Sequence, residues 1–565
     1  MKQILHVAIC VLNSKYIHSS LSPWCLLAGI EAYCEKGIIA EVIEGTINEN
    51  PDNILQRILA KSPQVIGFSC YIWNIDATKI LIRLVKGAMP NAVIVLGGPE
   101  VSYNAADILK EEPLVQCVVS GEGEAPFALL LNCLYHGEHT HNIAGISYRV
   151  GGQLMLSRPN TTFNDPPSPY TEKYFNALKG RIAYLETSRG CPYSCAFCLS
   201  GFGKVRYFNL ERAKKELLML ANSGAQTVKL VDRTFNANRA RAVELFNFII
   251  KNYGAGIPEG VCFHFEIAGD LLDEAAISLL AAAPAGLIQM EIGLQSFNPE
   301  TLAAINRKTN IEQLKNNIRK IVANGNIHVH LDLIAGLPCE DLRSFAKSFN
   351  TAYDLRPNML QLGFLKLLHG SKMRVAREKY PCRYECRAPY EVIETPWLST
   401  EDLLYLKHTE DALQRLYNSR RFRRTLDYLL EQLRIKPFEL FGHFGEYLAS
   451  KNINRISLND FIALVYKHFG SRSGIDRITL RDMLVCDYLA TNSSGRLPPV
   501  LQVKDPALKR AKKQFERDSF ATSRGKGRRA MALLYSEPCM VYAYYQDKNP
   551  VTGEYPLSKI IWSKK

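Results

Sequence analysis

At 565 residues the chain is too long for one compact domain, and its length points to about three. With 47% hydrophobic and 22% charged residues it has an ordinary soluble globular composition, and no run of about eighteen apolar residues offers a membrane-spanning helix. The formal charge is +14; ten basic against three acidic residues between Lys504 and Arg529 supply half of it, a tract that can steer nucleic acid or another anionic partner but equally reads as a solvated face.

The opening run through Val11 resembles the apolar core of a signal peptide. It is broken by His6 and followed by Asn13-Ser-Lys-Tyr-Ile-His18 with no small-residue cleavage site, so a buried first strand is expected. Fifteen cysteines, an odd number scattered through apolar runs, point to a reducing compartment and a cytoplasmic protein.

From the start to about residue 145, short apolar runs alternate with helical patterns at 4–11, 21–34, 40–44, 54–60, 65–69, 77–87, 92–96 and 117–119. This alternation predicts βαβ units in a Rossmann-like, doubly wound parallel sheet, with ligands bound beyond the carboxyl ends of its strands. Three loops there are candidate binding elements: Ser69-Cys-Tyr71-Ile-Trp73, Gly97-Gly98-Pro99-Glu100 and Ser120-Gly121-Glu-Gly123-Glu124. Their glycines would let backbone approach a large ligand closely. Residues 146–178 read as a linker, with a hairpin over 146–156 and then a Pro-rich stretch.

The next segment carries Cys191-Pro-Tyr-Ser-Cys195-Ala-Phe-Cys198, set just after the apolar run 182–187. Clustered thiols in a reducing compartment form a metal site before they form disulfides. A four-iron cube takes four thiolates, and three leave one iron open for catalysis. A closed zinc site with a borrowed fourth ligand is the alternative.

Around this loop the βα alternation resumes over 179–375. Strands are expected at 182–186, 227–231, 262–267, 287–293, 328–334 and 359–364, with helices between them. Six such units predict a partial (β/α)6 TIM-like barrel whose site lies at the strands' carboxyl ends. Asp232, Glu266, Gln295 and Asp332 fall at or near those ends, where carboxylates are costly unless paired or bound to a ligand. From 376 to 565 the patterns turn mainly helical, with a capping signal at Ser399-Thr-Glu-Asp402. Cys382 and Cys386 could contribute to an auxiliary cluster, although no further cysteine pair stands near them in sequence.

The CxxxCxxC spacing resembles the signature of the radical S-adenosylmethionine (SAM) enzymes. The resemblance implies a 4Fe–4S cluster held by Cys191, Cys195 and Cys198. SAM chelates its open iron and is cleaved reductively to methionine and a 5′-deoxyadenosyl radical. The preceding domain, with its GGPE and GEGE loops, resembles the module of the B12-binding radical SAM proteins, an uncharacterised bacterial branch with a helical C-terminal extension. That implies cobalamin beside Ser69, Tyr71, Trp73, Gly97, Gly98, Pro99, Glu100, Gly121 and Gly123. Many such modules carry Asp-x-His-x-x-Gly; here the nearest histidine is His18, with Tyr16 in place of Asp and Leu21 in place of Gly. Cobalamin is therefore expected without a histidine on cobalt; a domain that binds no cofactor is the alternative.

Gly293-Leu-Gln295-Ser296, Asn306-Arg307 and Asp332-Leu-Ile-Ala-Gly-Leu-Pro338 look like the SAM pocket of the subgroup that includes oxygen-independent coproporphyrinogen oxidase. By that resemblance Glu266 and Asp332 bind the ribose hydroxyls, Gln295 the ribose or methionyl part, and Arg307 the SAM carboxylate. Asp232 stands in for a glycine-rich contact to the methionyl amino group. The implied activity is cobalamin-dependent methylation of an unreactive carbon. A radical rearrangement or cyclisation, and a non-catalytic redox or cobalamin sensor, are the alternatives. The implied partners are a reductase, flavodoxin or ferredoxin as electron donor and a substrate, small or macromolecular, that the sequence does not identify.

Overall fold

A computed structural model describes residues 4–138, 143–160, 165–201, 204–453, 455–506, 510 and 529–561. The first sheet has β1 (Leu5–Asn13), β2 (Ile38–Thr46), β3 (Val65–Ser69), β4 (Val93–Gly97) and β5 (Cys117–Val119), parallel and in the order β2-β1-β3-β4-β5. The order reverses at β1, which opens a crevice beyond the carboxyl ends of β1 and β3. The hairpin of β6 (Ile146–Val150) and β7 (Gln153–Met155), expected within the linker, instead extends this sheet by antiparallel pairing of β6 with β5. A bare β5 edge would otherwise present unpaired backbone groups.

Helices Ser22–Tyr33 and Glu124–His136 cover one face of the sheet, where Val7, Ile9, Leu27 and Phe127 belong to a core continuous with the second sheet through Tyr174 and Leu185. Helices Pro51–Leu59, Ile75–Ala88 and Ala105–Glu111 close the other face around Ile58, Ile66, Leu81 and Ile94.

The second sheet begins with β8 (Ala183–Leu185). Two short strands, β9 (Ser188–Arg189) and β10 (Arg206–Tyr207), then pair with each other. The sheet continues through β11 (Thr227–Leu230), β12 (Cys262–Ile267), β13 (Ile288–Gln295), β14 (His328–Ala335) and β15 (Met359–Phe364), all six strands parallel and adjacent in chain order. Each α-helix described between them starts on an Asn or Asp: Asn209, Asn238, Asp273, Asn298, Asn310 and Asp341 all accept a first-turn backbone N–H. Each such cap stabilises its helix by about 1 kcal/mol.

Alternation along the strands divides the sheet's two faces. Phe263, Phe265, Met290, Ile292, Val329 and Leu331 are at most 1% exposed against the helices, each contributing roughly 1.5–3 kcal/mol by burial. Lys229, His264, Glu266, Glu291, His330 and Asp332 take the opposite positions, so the interior is polar where such barrels are usually filled by branched apolar residues.

Beyond a small hairpin of β16 (Arg383–Tyr384) and β17 (Val392–Glu394), five helices run from Thr400 to Thr491. Ser399 and Asp402 form the capping box expected at the first. Phe345 and Phe349 of the barrel helix Leu342–Asp354 pack on Phe438 and Phe441 of this region, ring centroids 5.5–6.2 Å apart. The chain then forms an antiparallel sheet of β18 (Arg529–Leu534), β19 (Cys539–Tyr544) and β20 (Leu557–Ile561). These strands add to the expected helical region; β18 is buried on both faces, and such a short apolar run reads equally as helix.

The turn after β19 covers the lower rim of the barrel. Pro550 packs on Gly286, where a Cβ would lie 2.6 Å from the proline ring, and Arg420 donates to the Val551 carbonyl at 3.1 Å. Among the described residues no helix is long and apolar enough to cross a membrane. Most of the basic tract, at 507–509 and 511–528, lies outside the described residues.

Candidate active site

The cysteine loop leaves the sheet after β8 and is pinched at its base by the β9–β10 pair. Asp232 secures the same base. Its buried carboxylate accepts from the Thr187 backbone N–H at 3.0 Å, from the Thr187 hydroxyl at 2.7 Å and from the Ser188 hydroxyl. The neighbouring loop thus engages both oxygens of Asp232, the residue expected at a methionyl amino group, and Asp232 is not among the residues lining the cavity. Burial raises its pKa, and the three bonds oppose that shift.

Cys191, Cys195 and Cys198 line one cavity of about 210 Å³ together with Arg233, Glu266, Glu291, Gln295, Arg307 and Asp332. The Cys191 sulfur lies 3.3 Å from the Thr234 hydroxyl, and Cys198 accepts the Ser200 N–H at 3.4 Å. The loop is anchored across the barrel: Ala196 donates to the Ile305 carbonyl at 2.9 Å and accepts from Met373 at 3.0 Å. Arg307 spans the two sides. Its Nη2 donates to the Gly293 carbonyl at 2.8 Å, its Nη1 stands 3.8 Å from the Cys195 sulfur, and its guanidinium lies over the Tyr193 ring. Cys382 is half-buried, Cys386 is exposed, and neither lines the cavity.

Gln295 reaches the cavity through a register shift in β13, with φ +66° in the left-handed region. Its amide folds back over Gly293, where a Cβ would stand 2.3 Å from Nε2. Ser296, next in the chain, donates to the buried Glu340, which also accepts from Ser348 at 3.0 Å.

Beneath the cavity lies a charged layer that reading strand ends alone passed over. Lys229 is 3.1 Å from Glu291 and 3.9 Å from Glu266; His264 Nε2 is 2.9 Å from Glu291, and His330 Nε2 is 2.9 Å from Asp332. Burial works against the Glu291 charge, but His264 and Lys229 outweigh it and hold its pKa well below the usual range. Burial raises Glu266 against the pull of Arg233 and Lys229, and raises Asp332 against the pull of His330. The period-2 pattern was the available signal: the histidines of Phe263-His-Phe-Glu266 and His328-Val-His-Leu-Asp332 share a face with the acids.

In the first sheet, Tyr71 and Trp73 stack with centroids 4.4 Å apart and planes 8° from parallel. They sit at the strand-order reversal, where Trp73 Nε1 donates to the Leu12 carbonyl at 3.3 Å, and Trp73 is 47% exposed. Ser69 is buried, its carbonyl accepting from Asn74; Gly97 accepts the Cys70 N–H at 2.7 Å, and Pro99 is exposed. Several of the expected cofactor residues also have close partners within the protein. At Gly98 (φ +105°) a Cβ would meet the Cys70 carbonyl at 2.5 Å, and at Gly121 (φ +87°) the Asn160 backbone at 2.2 Å, so the chain itself fills both close approaches. Glu100 is buried and bonded to the Tyr390 hydroxyl. Gly123 starts helix Glu124–His136, and Glu122 and Glu124 turn to Arg189 at the base of the cysteine loop. His18 Nδ1 lies 2.7 Å from the Tyr184 hydroxyl, tying the two sheets together.

These residues fit the implied groups. Three thiols share one cavity wall with an arginine, and buried polar atoms without a well-aligned bond (Arg307 Nε, Asp332 Oδ1, His264 Nε2 and His330 Nε2) surround or underlie it. The stacked pair of half-buried Tyr71 and exposed Trp73 gives a flat wall at the crevice where a large ring would lie.

Comparison with known proteins agrees. Residues 185–352 match the radical SAM superfamily, residues 11–131 the B12 binding domain, and residues 378–525 a protein family of unknown function, DUF4080. The chain is 31% identical over 304 residues to the 2-(S-pantetheinyl)-carbapenam-3-carboxylate methyltransferase of Streptantibioticus cattleyicolor, covering 50% of this chain and 44% of that enzyme. It is 24% identical over 356 residues to the anaerobic magnesium-protoporphyrin IX monomethyl ester cyclase of Rubrivivax gelatinosus, covering 60% of this chain and 63% of that one. It thus spans less than two thirds of either relative. The structure of the cobalamin-dependent S-adenosylmethionine radical enzyme OxsB, with aqua-cobalamin and S-adenosylmethionine bound, superposes with a TM-score of 0.60 at 15% identity, covering 92% of this chain and 81% of that one; the fold is shared.

Proposed function

We propose that this chain, a radical SAM protein with a B12-binding domain, methylates an unreactive carbon. The observation that carries the reading is the single cavity in which Cys191, Cys195 and Cys198 face Glu266, Gln295, Arg307 and Asp332. When bound, the 4Fe–4S cluster would supply the electron that cleaves SAM, and cobalamin would carry the methyl group.

The protein's own part is to hold and orient. The three cysteines would hold three irons of the cluster, leaving the fourth for SAM. Arg307, already fixed by the Gly293 carbonyl and the Tyr193 ring, offers its fork to the SAM carboxylate. Glu266 and Asp332 accept from the ribose hydroxyls, and Gln295 contacts the ribose or methionyl part. Tyr71 and Trp73 form the wall for the corrin ring. In this reading residues 1–145, with the hairpin 146–155 completing their sheet, bind cobalamin, the rest of 146–178 links, 179–375 form the radical SAM barrel, and 376–565 close it. A reductase, flavodoxin or ferredoxin supplies electrons.

The test is anaerobic reconstitution with iron, sulfide and a corrinoid. About four irons per chain are expected at this site, with reductive SAM cleavage to 5′-deoxyadenosine. Cys191→Ala, Cys195→Ala and Cys198→Ala should each abolish that cleavage, and a triple variant that retained it would overturn the reading. The likeness to the Rubrivivax cyclase favours a second reading, cyclisation without methyl transfer. S-adenosylhomocysteine formed beside 5′-deoxyadenosine supports methylation; 5′-deoxyadenosine alone supports cyclisation.

A further inference from the structure

The charged layer under the cavity has a geometry of its own. Strand register sets Glu291 opposite His330 and Gly293 opposite Asp332, and Asp332 lines the cavity. One donor atom each from Glu291, His330 and Asp332 falls within 4.8 Å of the others. His330 is 7% exposed, so solvent supplies little of its environment. Its Nε2 stands 2.9 Å from Asp332 Oδ1, yet neither atom has a well-aligned hydrogen bond. A buried donor and acceptor so close and misaligned are settled when a ligand draws the carboxylate into place.

A carboxylate accepts and does not donate. With one Asp332 oxygen facing His330, the other is left for a donor inside the cavity, and the ribose of SAM carries two adjacent hydroxyl donors. We propose that His330 is a positioning residue that holds Asp332 ionised and aimed at the ribose hydroxyls of SAM. His264 and Lys229 stand beside Glu291, one strand away, as its cationic partners. This rests on the radical SAM reading above and extends it to residues that do not themselves touch SAM.

The groups around His330 set the sign of its pH dependence. Asp332 lies on its own strand, Glu291 on the neighbouring β13, His264 one strand further on β12 and Lys229 beyond it on β11. His328 lies below, next to Arg420, with Glu266 and Arg233 above. Burial opposes protonation of His330, but Asp332 and Glu291 outweigh it, and its pKa is raised. Burial, Arg420 and the two neighbouring histidines drive His328 down to about 3, so it stays neutral when His330 titrates. As pH rises through the His330 pKa the imidazolium is lost, Asp332 loses its cation, and SAM should bind more weakly.

The experiment measures SAM binding by equilibrium dialysis on reconstituted protein between about pH 5 and 8, the range of histidine titration, with iron content determined in parallel. For the wild type, affinity should fall toward high pH by about tenfold, the effect of one pK unit of differential interaction. His330→Gln keeps an amide donor near Asp332 but cannot titrate; it should bind SAM with a flatter profile and unchanged iron. His330→Phe should bind about tenfold more weakly throughout. If His330→Phe fails to fold, the slope of His330→Gln decides. A wild-type slope retained in His330→Gln, or wild-type affinity in His330→Phe, overturns the proposal and leaves the radical SAM reading standing. Absence of SAM binding by the wild type overturns both.

Discussion

Arg189 Nη2 lies 2.5 Å from Glu124 Oε1, joining the base of the cysteine loop to the first turn of a helix on the other α/β unit. The same guanidinium reaches Glu122 at 2.7 Å and Glu186 at 2.9 Å, and Arg206 adds a bond to Glu122 at 2.8 Å. All five side chains are 10–21% exposed, so solvent screens them little. The unit expected to bind cobalamin therefore grips the loop expected to hold the cluster.

Removing the arginine leaves three carboxylates buried without their central partner. Arg189→Leu should destabilise the protein by about 3–5 kcal/mol in chemical denaturation and lower iron retention on gel filtration. Glu124→Gln removes one charge and keeps an acceptor, so its cost should be smaller. Full stability in Arg189→Leu would show that the clamp contributes nothing.

Gly293→Ala tests the fold-back of Gln295. The new Cβ would meet the end of a flexible amide, so stability should change by less than about 1 kcal/mol, while Gln295 is displaced. SAM affinity should fall with iron content constant. An unchanged affinity would remove Gln295 from the site.

Glu340 gives a pH dependence of stability. Burial pushes its pKa up to about 7 against its bonds to Ser296 and Ser348. For an acid with a raised folded pKa, the folded state holds the proton where the unfolded chain has lost it. Stability then falls as pH rises from the unfolded value of about 4.3 toward the folded pKa. Glu340→Gln should flatten that fall and leave the variant more stable than wild type, relative to their difference at low pH, by roughly 1–3 kcal/mol above neutrality. Thermal melts across that window check it, and parallel curves for the two proteins would refute the assignment.

His18→Ala should leave corrinoid binding near one per chain and unchanged in spectrum, because the His18 ring is engaged by Tyr184 and the Asp-x-His-x-x-Gly pattern is missing. A shift in the corrinoid absorption bands would place His18 on cobalt. The expected cost is instead about 1 kcal/mol of stability, from one lost hydrogen bond between the sheets.

The barrel strands were legible because each is a short β-rich run between a capped helix and a turn, and the cysteine spacing is local. What escaped is non-local. Asp232 reads as a strand-end ligand, and its hydrogen bonds to Thr187 and Ser188 come from a loop more than forty positions earlier. Glu100 reads as a binding loop residue, and its partner Tyr390 lies 290 positions away. His264 and His330 were visible in the alternation of β12 and β14, His330 two positions from Asp332 on the same strand, but a lone histidine on a strand is commonly core, and only register sets both beside Glu291.

The turn at Pro550 also bears on the order in which the molecule can be completed during synthesis. The floor under Gly286 and the partners of Arg420 and Arg424, the Val551 carbonyl and Glu554, emerge from the ribosome long after the strands they support. The first sheet and its helices can assemble as they appear, since domains fold as units from the N-terminus. The barrel above that floor stays unfinished until the closing turn arrives. Iron uptake should accordingly begin only on chains whose residue 555 has left the ribosome, which takes a C-terminal extension to observe on a stalled chain. Stalled nascent chains of graded length, assayed for iron, would date that moment.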